Sequence, residues 1–232
     1  MGITDLLRGF GSLFFPNACL NCRRPVARRE ALLCLPCEAD LPVIDHWRLP
    51  ENEIHDRLAG RLPICHGIAA YTFREGNVCQ QLIHAMKYHN RPDVGRLLGE
   101  RLGEILARVA GLDDLTGVVP VPIHDRRRQE RGYNQAEMIA EGVARVLDRP
   151  TYPAALRRTD FRGSQTRRGK LERLENVRDS FTTGRGDFTG AHLLLVDDVM
   201  TTGATLDFCG NALLDAHTDL RLSVATLALV ER

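Results

Sequence analysis

Residues 193–205, LLLVDDVMTTGAT, decide the reading of this chain. Four successive apolar residues, Leu193, Leu194, Leu195 and Val196, make a strand covered on both faces. Asp197 and Asp198 come at its carboxyl end, where open α/β sheets bind ligands. Thr201, Thr202, Gly203, Ala204 and Thr205 then lead into a helix. Residues this small let backbone N–H groups close on an anion. Threonine hydroxyls add donors, and the helix start adds its positive end. Two carboxylates repel a phosphate, so the aspartates suit neighbouring hydroxyls, as on a ribose, or act through a metal. The segment reads as a cradle for a sugar phosphate.

Outward from it, Gly67–Phe73 (GIAAYTF) has strand character, and residues 77–88 and 93–110 have helical character. Residues 117–121 form a short apolar strand limited by Pro120 and Pro122, and residues 134–147 an amphipathic helix. Ala204–Ala216 continues the cradle as a helix, and residues 222–230 make a final strand. Strands alternating with helices predict an α/β fold with a parallel sheet. Gly95, Gly99 and Gly103 recur at i, i+4 and permit close helix contact within or between chains. Residues 3–16 place apolar side chains at helical spacing up to Pro16 and predict an N-terminal amphipathic helix, packed on the protein itself or docked elsewhere. Residues 41–65 are rich in Pro and charge and read as a linker with little core. The expected division is 1–16 for the leading helix, 17–65 for a cysteine module and linker, and 66–232 for the main domain.

The cysteine module has the spacing C-x2-C-x11-C-x2-C at Cys19, Cys22, Cys34 and Cys37. Each Cys-x-x-Cys pair can put two sulfurs on one tight turn, and two such turns suit a tetrahedral Zn2+ site. Four thiolates leave no open position, so the expected role is structural, in a segment too small to bury a core of its own. Arg23, Arg24, Arg28 and Arg29 would ease the thiolate charge. The site either staples the segment only or also meets nucleic acid or a partner. Cys65, Cys79 and Cys209 are expected as buried packing.

The whole-chain charge of +1 names no partner. Local charge is more telling. Residues 125–131 (DRRRQER) and the run 157–173, with seven Lys/Arg against Asp160 and Glu172, could serve a polyanion. No stretch of about 18 apolar residues is present. Asp5, Arg8 and Gly9 spoil a secretory signal, so a cytoplasmic protein is expected.

The segment 193–205 resembles the phosphoribosyl-pyrophosphate signature of type I phosphoribosyltransferases. The resemblance implies that fold, with Asp197 and Asp198 on the ribose hydroxyls. It puts Thr201, Thr202, Gly203, Ala204 and Thr205 on the 5′-phosphate. Further stretches narrow it: residues 84–88 (HAMKY), Val119-Pro120-Val121-Pro122, residues 131–136 (RGYNQA), and a run with Gln165, Arg173, Asn176, Val177 and Phe181. With the cysteines these resemble the ComF family, in which a zinc ribbon precedes a phosphoribosyltransferase domain. Arg168, where an apolar residue is expected, departs from the pattern.

Leaving pyrophosphate needs positive groups and often Mg2+. Lys87, Arg126, Arg127 and Arg131 are the expected contacts. The implied function is a transferase of nucleotide metabolism. It would bind phosphoribosyl pyrophosphate or a nucleotide with Mg2+ and pass phosphoribose to an unidentified base. The acceptor would lie under a hood from residues 70–92 and 150–175, with His84, His89 and His124 as candidate bases. The alternative is a non-catalytic protein handling single-stranded DNA alongside the DNA-uptake machinery of competent bacteria. Tyr133, Tyr152 and Phe161 would then stack on bases.

Overall fold

The computed structural model describes residues 18–26, 32–88, 90–158 and 181–231. Four strands form one parallel sheet in the order β1-β6-β5-β2: β1 (Gly67–Phe73), β6 (Arg221–Val230), β5 (His192–Met200) and β2 (Gly117–Pro120). Alternation along β5 divides the core. Leu194 and Val196 join Val118, Ala225 and Leu227 on one face, under α3 (Val78–Tyr88), α4 (Pro92–Leu106) and α6 (Gln135–Leu147). Leu193 and Leu195 join Val119, Leu222 and Val224 on the other, under α7 (Ala204–Ala216). This is the expected parallel sheet flanked by helices.

The three glycines of α4 meet α6 of the same chain. A Cβ on Gly99 would stand 2.2 Å from the Ile139 carbonyl oxygen, and one on Gly142 2.2 Å from that of Arg96. Asn134 starts α6. Its side chain accepts from the Ala136 N–H at 3.1 Å and donates to the Val121 carbonyl at 2.9 Å.

Residues 41–65 correct the expectation of a linker with little core. Residues 42–44 run along the free edge of β1, with Ile44 N–H on the Ala70 carbonyl (2.9 Å) and Thr72 N–H on that of Pro42 (2.8 Å). The helix α2 (Glu53–Leu58) then buries Ile54 and Leu58 with Leu62 against the α7 face. Two apolar residues at i, i+4 in a charged stretch are too few to show a period.

Three further differences emerge. The basic stretch is a helix, α5 (Asp125–Arg131), exposed on every side but the one nearest Arg131. It is capped by His124, whose Nδ1 accepts the Arg126 N–H at 3.0 Å, and stopped by Gly132 at φ +80°. An antiparallel ribbon pairs β3 (Leu156–Arg158) with β4 (Phe181–Thr183). Cys79 and Cys209 are buried as expected, whereas Cys65 is exposed. The expected helix over 3–16 and most of the basic run, with Arg162, Gln165, Arg167, Arg168, Lys170, Arg173, Asn176 and Val177, lie outside the described residues. So do Arg28, Arg29, His89 and Phe161.

Candidate functional site

After β2 the chain passes through α5 to α6 on one face of the sheet, and after β5 to α7 on the other. The chain thus leaves the neighbouring strands β2 and β5 toward opposite faces, the switch-point topology at which open α/β sheets bind ligands. Pairing of β2 ends at Pro120 opposite Val196. Strand β5 does not stop at Val196 as the sequence suggested. Pairing with β6 carries it on through Asp197 (opposite Thr226) to Met200 (opposite Leu229). The aspartates therefore lie in the strand, beyond the end of its neighbour.

Both are half-buried, and the Asp198 N–H donates to Asp197 Oδ1 at 2.8 Å. Burial, and then the charge of Asp198, push the Asp197 carboxyl up to about 7. Lys87, at the end of α3, puts Nζ 2.9 Å from Asp198 Oδ2. Next to it, the Met86 carbonyl accepts from the Tyr133 hydroxyl. The HAMKY and RGYNQA stretches are thus tied together beside the acidic pair.

The loop after Met200 turns at Gly203, φ +80°. That left-handed conformation favours glycine, and a Cβ there would also displace the ends of the Met200 and Leu58 side chains, 2.7 and 2.9 Å away. Asp197, Thr201, Thr202, Gly203, Ala204 and Thr205 line a small cavity of about 40 Å³ at the start of α7.

The other expected basic contacts separate. Arg127 on α5 bears on Arg158 of β3, whose guanidinium is held below its usual range by burial and then by Arg127. Arg158 also lies 4.9 Å over the Phe181 ring. Arg126 is turned to Glu130 (3.0 Å) with 82% of its side chain exposed. Arg131 donates to Gln135 (2.8 Å) and sits over Tyr88. His84 is exposed and packs edge-on to Tyr88. The stacking role expected for Tyr133 is corrected, since its ring is buried. Tyr152 is half-buried and meets Phe188 edge-on at 5.0 Å.

Sequence reasoning missed two residues here, Arg57 and Arg61. Arg57 donates to the Thr201 carbonyl, and Arg61 to the Thr202 carbonyl at 2.8 Å. Nothing in the sequence separates them from other charges of residues 41–65.

The four module cysteines bring their sulfurs within 4.8 Å of one another, and Cys22 and Cys34 sulfurs to 3.5 Å. Tetrahedral Zn–S bonds of about 2.3 Å put sulfurs about 3.8 Å apart, so these residues fit such an ion. The first turn closes through Cys19 N–H on Arg24 O (2.8 Å) and Arg23 N–H on Cys19 O (3.0 Å). The second is the start of α1 (Leu35–Ala39). Arg24, through its backbone and side chain, draws the Cys22 thiol down to about 6, toward the thiolate a metal takes.

A parallel sheet with an acidic pair and a glycine-turned loop at its switch point, joined to a four-cysteine module, has the architecture of a type I phosphoribosyltransferase domain with an N-terminal four-cysteine appendage that could hold a metal. The chain is similar over most of its length to competence and DNA-utilization proteins. It is 26% identical over 212 residues to competence protein ComFC of Bacillus subtilis (strain 168), covering 91% of this chain and 83% of that one. DNA utilization protein YhgH of Escherichia coli (strain K12) is 27% identical over 204 residues, covering 84% and 89%. No family model matches the chain. One solved structure, of an allosteric regulatory enzyme of purine biosynthesis, overlays 61% of this chain and 29% of that one with 21% identity and a TM-score of 0.41. That overlay is loose, and the architecture rests on strand order and loop position. Among the described residues no helix is long and apolar enough to cross a membrane.

Proposed function

We propose that this chain binds phosphoribosyl pyrophosphate, or a nucleotide, at residues 197–205. Asp197 and Asp198 face the ribose hydroxyls. Thr201, Thr202, Gly203, Ala204 and Thr205 hold the 5′-phosphate through backbone N–H groups and hydroxyls. Lys87 and Arg127, with Arg126 and Arg131 further out, serve the pyrophosphate. The observation that carries this reading is the acidic pair and Gly203 loop together at the carboxyl end of β5, beyond the end of β2.

Transfer would form a bond from an acceptor nitrogen to the anomeric carbon as the carbon–oxygen bond breaks and its electron pair leaves with pyrophosphate. Bound Mg2+ would neutralise charge growing on that leaving group. Two carboxylates suit such an ion when substrate oxygens complete its shell, as Mg2+ commonly requires. The cysteine module would hold structural Zn2+. We assign residues 66–232 to the donor domain, with α2 packed onto it from the preceding segment. A phosphorylated ligand that cannot cross a membrane unaided fits a cytoplasmic protein.

The test is thermal unfolding with phosphoribosyl pyrophosphate, with and without Mg2+. At about 100 times the dissociation constant the ligand adds about 2.7 kcal/mol, a rise of several degrees. Asp198→Ala should lose the rise. No shift in the unchanged protein would overturn the donor site.

A second reading draws on the relatives, whose names speak of competence and DNA utilization, and on the exposed arginines Arg126, Arg127 and Arg128 of α5. In it the protein holds single-stranded DNA near the uptake machinery. Binding of a labelled oligonucleotide that weakens with salt and with Arg126→Ala plus Arg127→Ala would support it, and insensitivity to both would exclude it.

A further inference from the structure

We infer that Arg57 and Arg61 are positioning residues that set the phosphate loop from behind, an inference that rests on the donor site proposed above. Arg57 is a charged group with 2% of its side chain exposed. A buried charge is costly unless its donors are spent. Those of Arg57 go to Glu53 one turn earlier, to the Thr201 carbonyl, and to the Val230 carbonyl at 2.5 Å. Arg61, one turn later, donates to the Thr202 carbonyl at 2.8 Å and to the Arg57 carbonyl, and stands 3.4 Å from Asp207 of α7. Two guanidiniums from one side of a helical segment thus end on successive carbonyls of the loop.

The geometry has a direct consequence. In a trans peptide the C=O and the following N–H point in opposite directions. Cis peptides are absent among the described residues. With Thr201 O turned to Arg57, the N–H of Thr202 is turned away from α2. With Thr202 O turned to Arg61, the N–H of Gly203 is turned the same way. Those are N–H groups an anion at this loop needs. A charge-assisted bond to the carbonyl also polarises the peptide and strengthens its N–H as a donor. Leu58, between the arginines, lies beside Gly203 from the same helix.

The test uses the whole 232-residue chain and ribose 5-phosphate, with binding followed by calorimetry and the Gly203 amide by NMR. Arg61→Ala should weaken binding about tenfold, the scale of one hydrogen bond to a charged group, and should move the Gly203 amide resonance before ligand is added. Methylguanidinium should restore part of the affinity, and methylammonium should not, because the fork rather than the charge is missing. Arg57→Met should act in the same direction. If it does not fold, Arg61→Ala still decides. Unweakened binding by Arg61→Ala, or a loss that methylguanidinium does not relieve, overturns the positioning role and leaves the donor site standing. Failure of the unchanged protein to bind both ribose 5-phosphate and phosphoribosyl pyrophosphate overturns both.

Discussion

At Asp197 a carboxyl is held in the sheet beside a second carboxylate, and its pKa rises from 3.8 to about 7. Between those values the folded protein binds more protons here than the unfolded chain does. This group's contribution is therefore favourable at low pH and is lost as pH rises through about 7. Asp197→Asn keeps the shape and removes the titration. The variant should be more stable than the unchanged protein at about pH 8, by on the order of 1 kcal/mol or more, and the gap should close toward about pH 5. Urea unfolding across that range reads it, and parallel curves would refute it. The acidic pair itself was legible in the sequence, because two aspartates at the end of an apolar run have few structural uses. Lys87 was legible only as a charge. Its partner Asp198 lies far along the chain, and only the fold brings α3 to the end of β5.

Elements differed in legibility for physical reasons. Strands β1 and β5 and the helices α4, α6 and α7 each bury an apolar face, and burial leaves a period in the sequence. The helix α5 has no buried residue, so it has no period to read, and only its cap and its glycine stop define it. The ribbon β3–β4 has three-residue strands, too short for alternation, whose partners are separated by residues 159–180. Continuation of β5 past Val196 depends on β6, which no local reading supplies. The glycines of α4 announced a close contact without naming the partner. Gly142 of α6 is its other half. A Cβ on Gly142 would also lie 2.7 Å from the Glu100 nitrogen, so the obstacle is backbone and cannot swing aside. Gly142→Ala raises helix propensity but must push the two helices apart. The expected outcome is a loss of about 1–3 kcal/mol, read by denaturant unfolding. A gain in stability would mean that the helices slide freely.

On the scale of the whole molecule, the cysteine module and the sheet are one core. Cys19, Leu20, Leu32, Leu33, Cys37 and Leu41 share a buried cluster with α3, α4 and β1. Glu38 of α1 reaches Arg101 of α4 at 2.7 Å. A metal on the four sulfurs would thereby brace the α4 side of the sheet as well as its own turns, since metal that binds only the folded state adds to folding stability. Removing it should lower the unfolding temperature of the entire protein rather than add a separate early transition. Thiol reactivity makes the same argument countable. All seven cysteines are described, and Cys65 alone is exposed outside the module. With Zn2+ bound, a thiol reagent should label Cys65 rapidly. A strong chelator should release one ion per chain and bring the labelled total to five as the module cysteines become available. Cys79 and Cys209, both buried, should react only on unfolding. Cys79, whose thiol burial pushes up to about 12, is doubly protected, because the attacking species is the thiolate. Rapid labelling of five thiols before any chelator is added would mean that the module holds no metal. Labelling of all seven on chelation alone would mean that the sheet cannot stand without it.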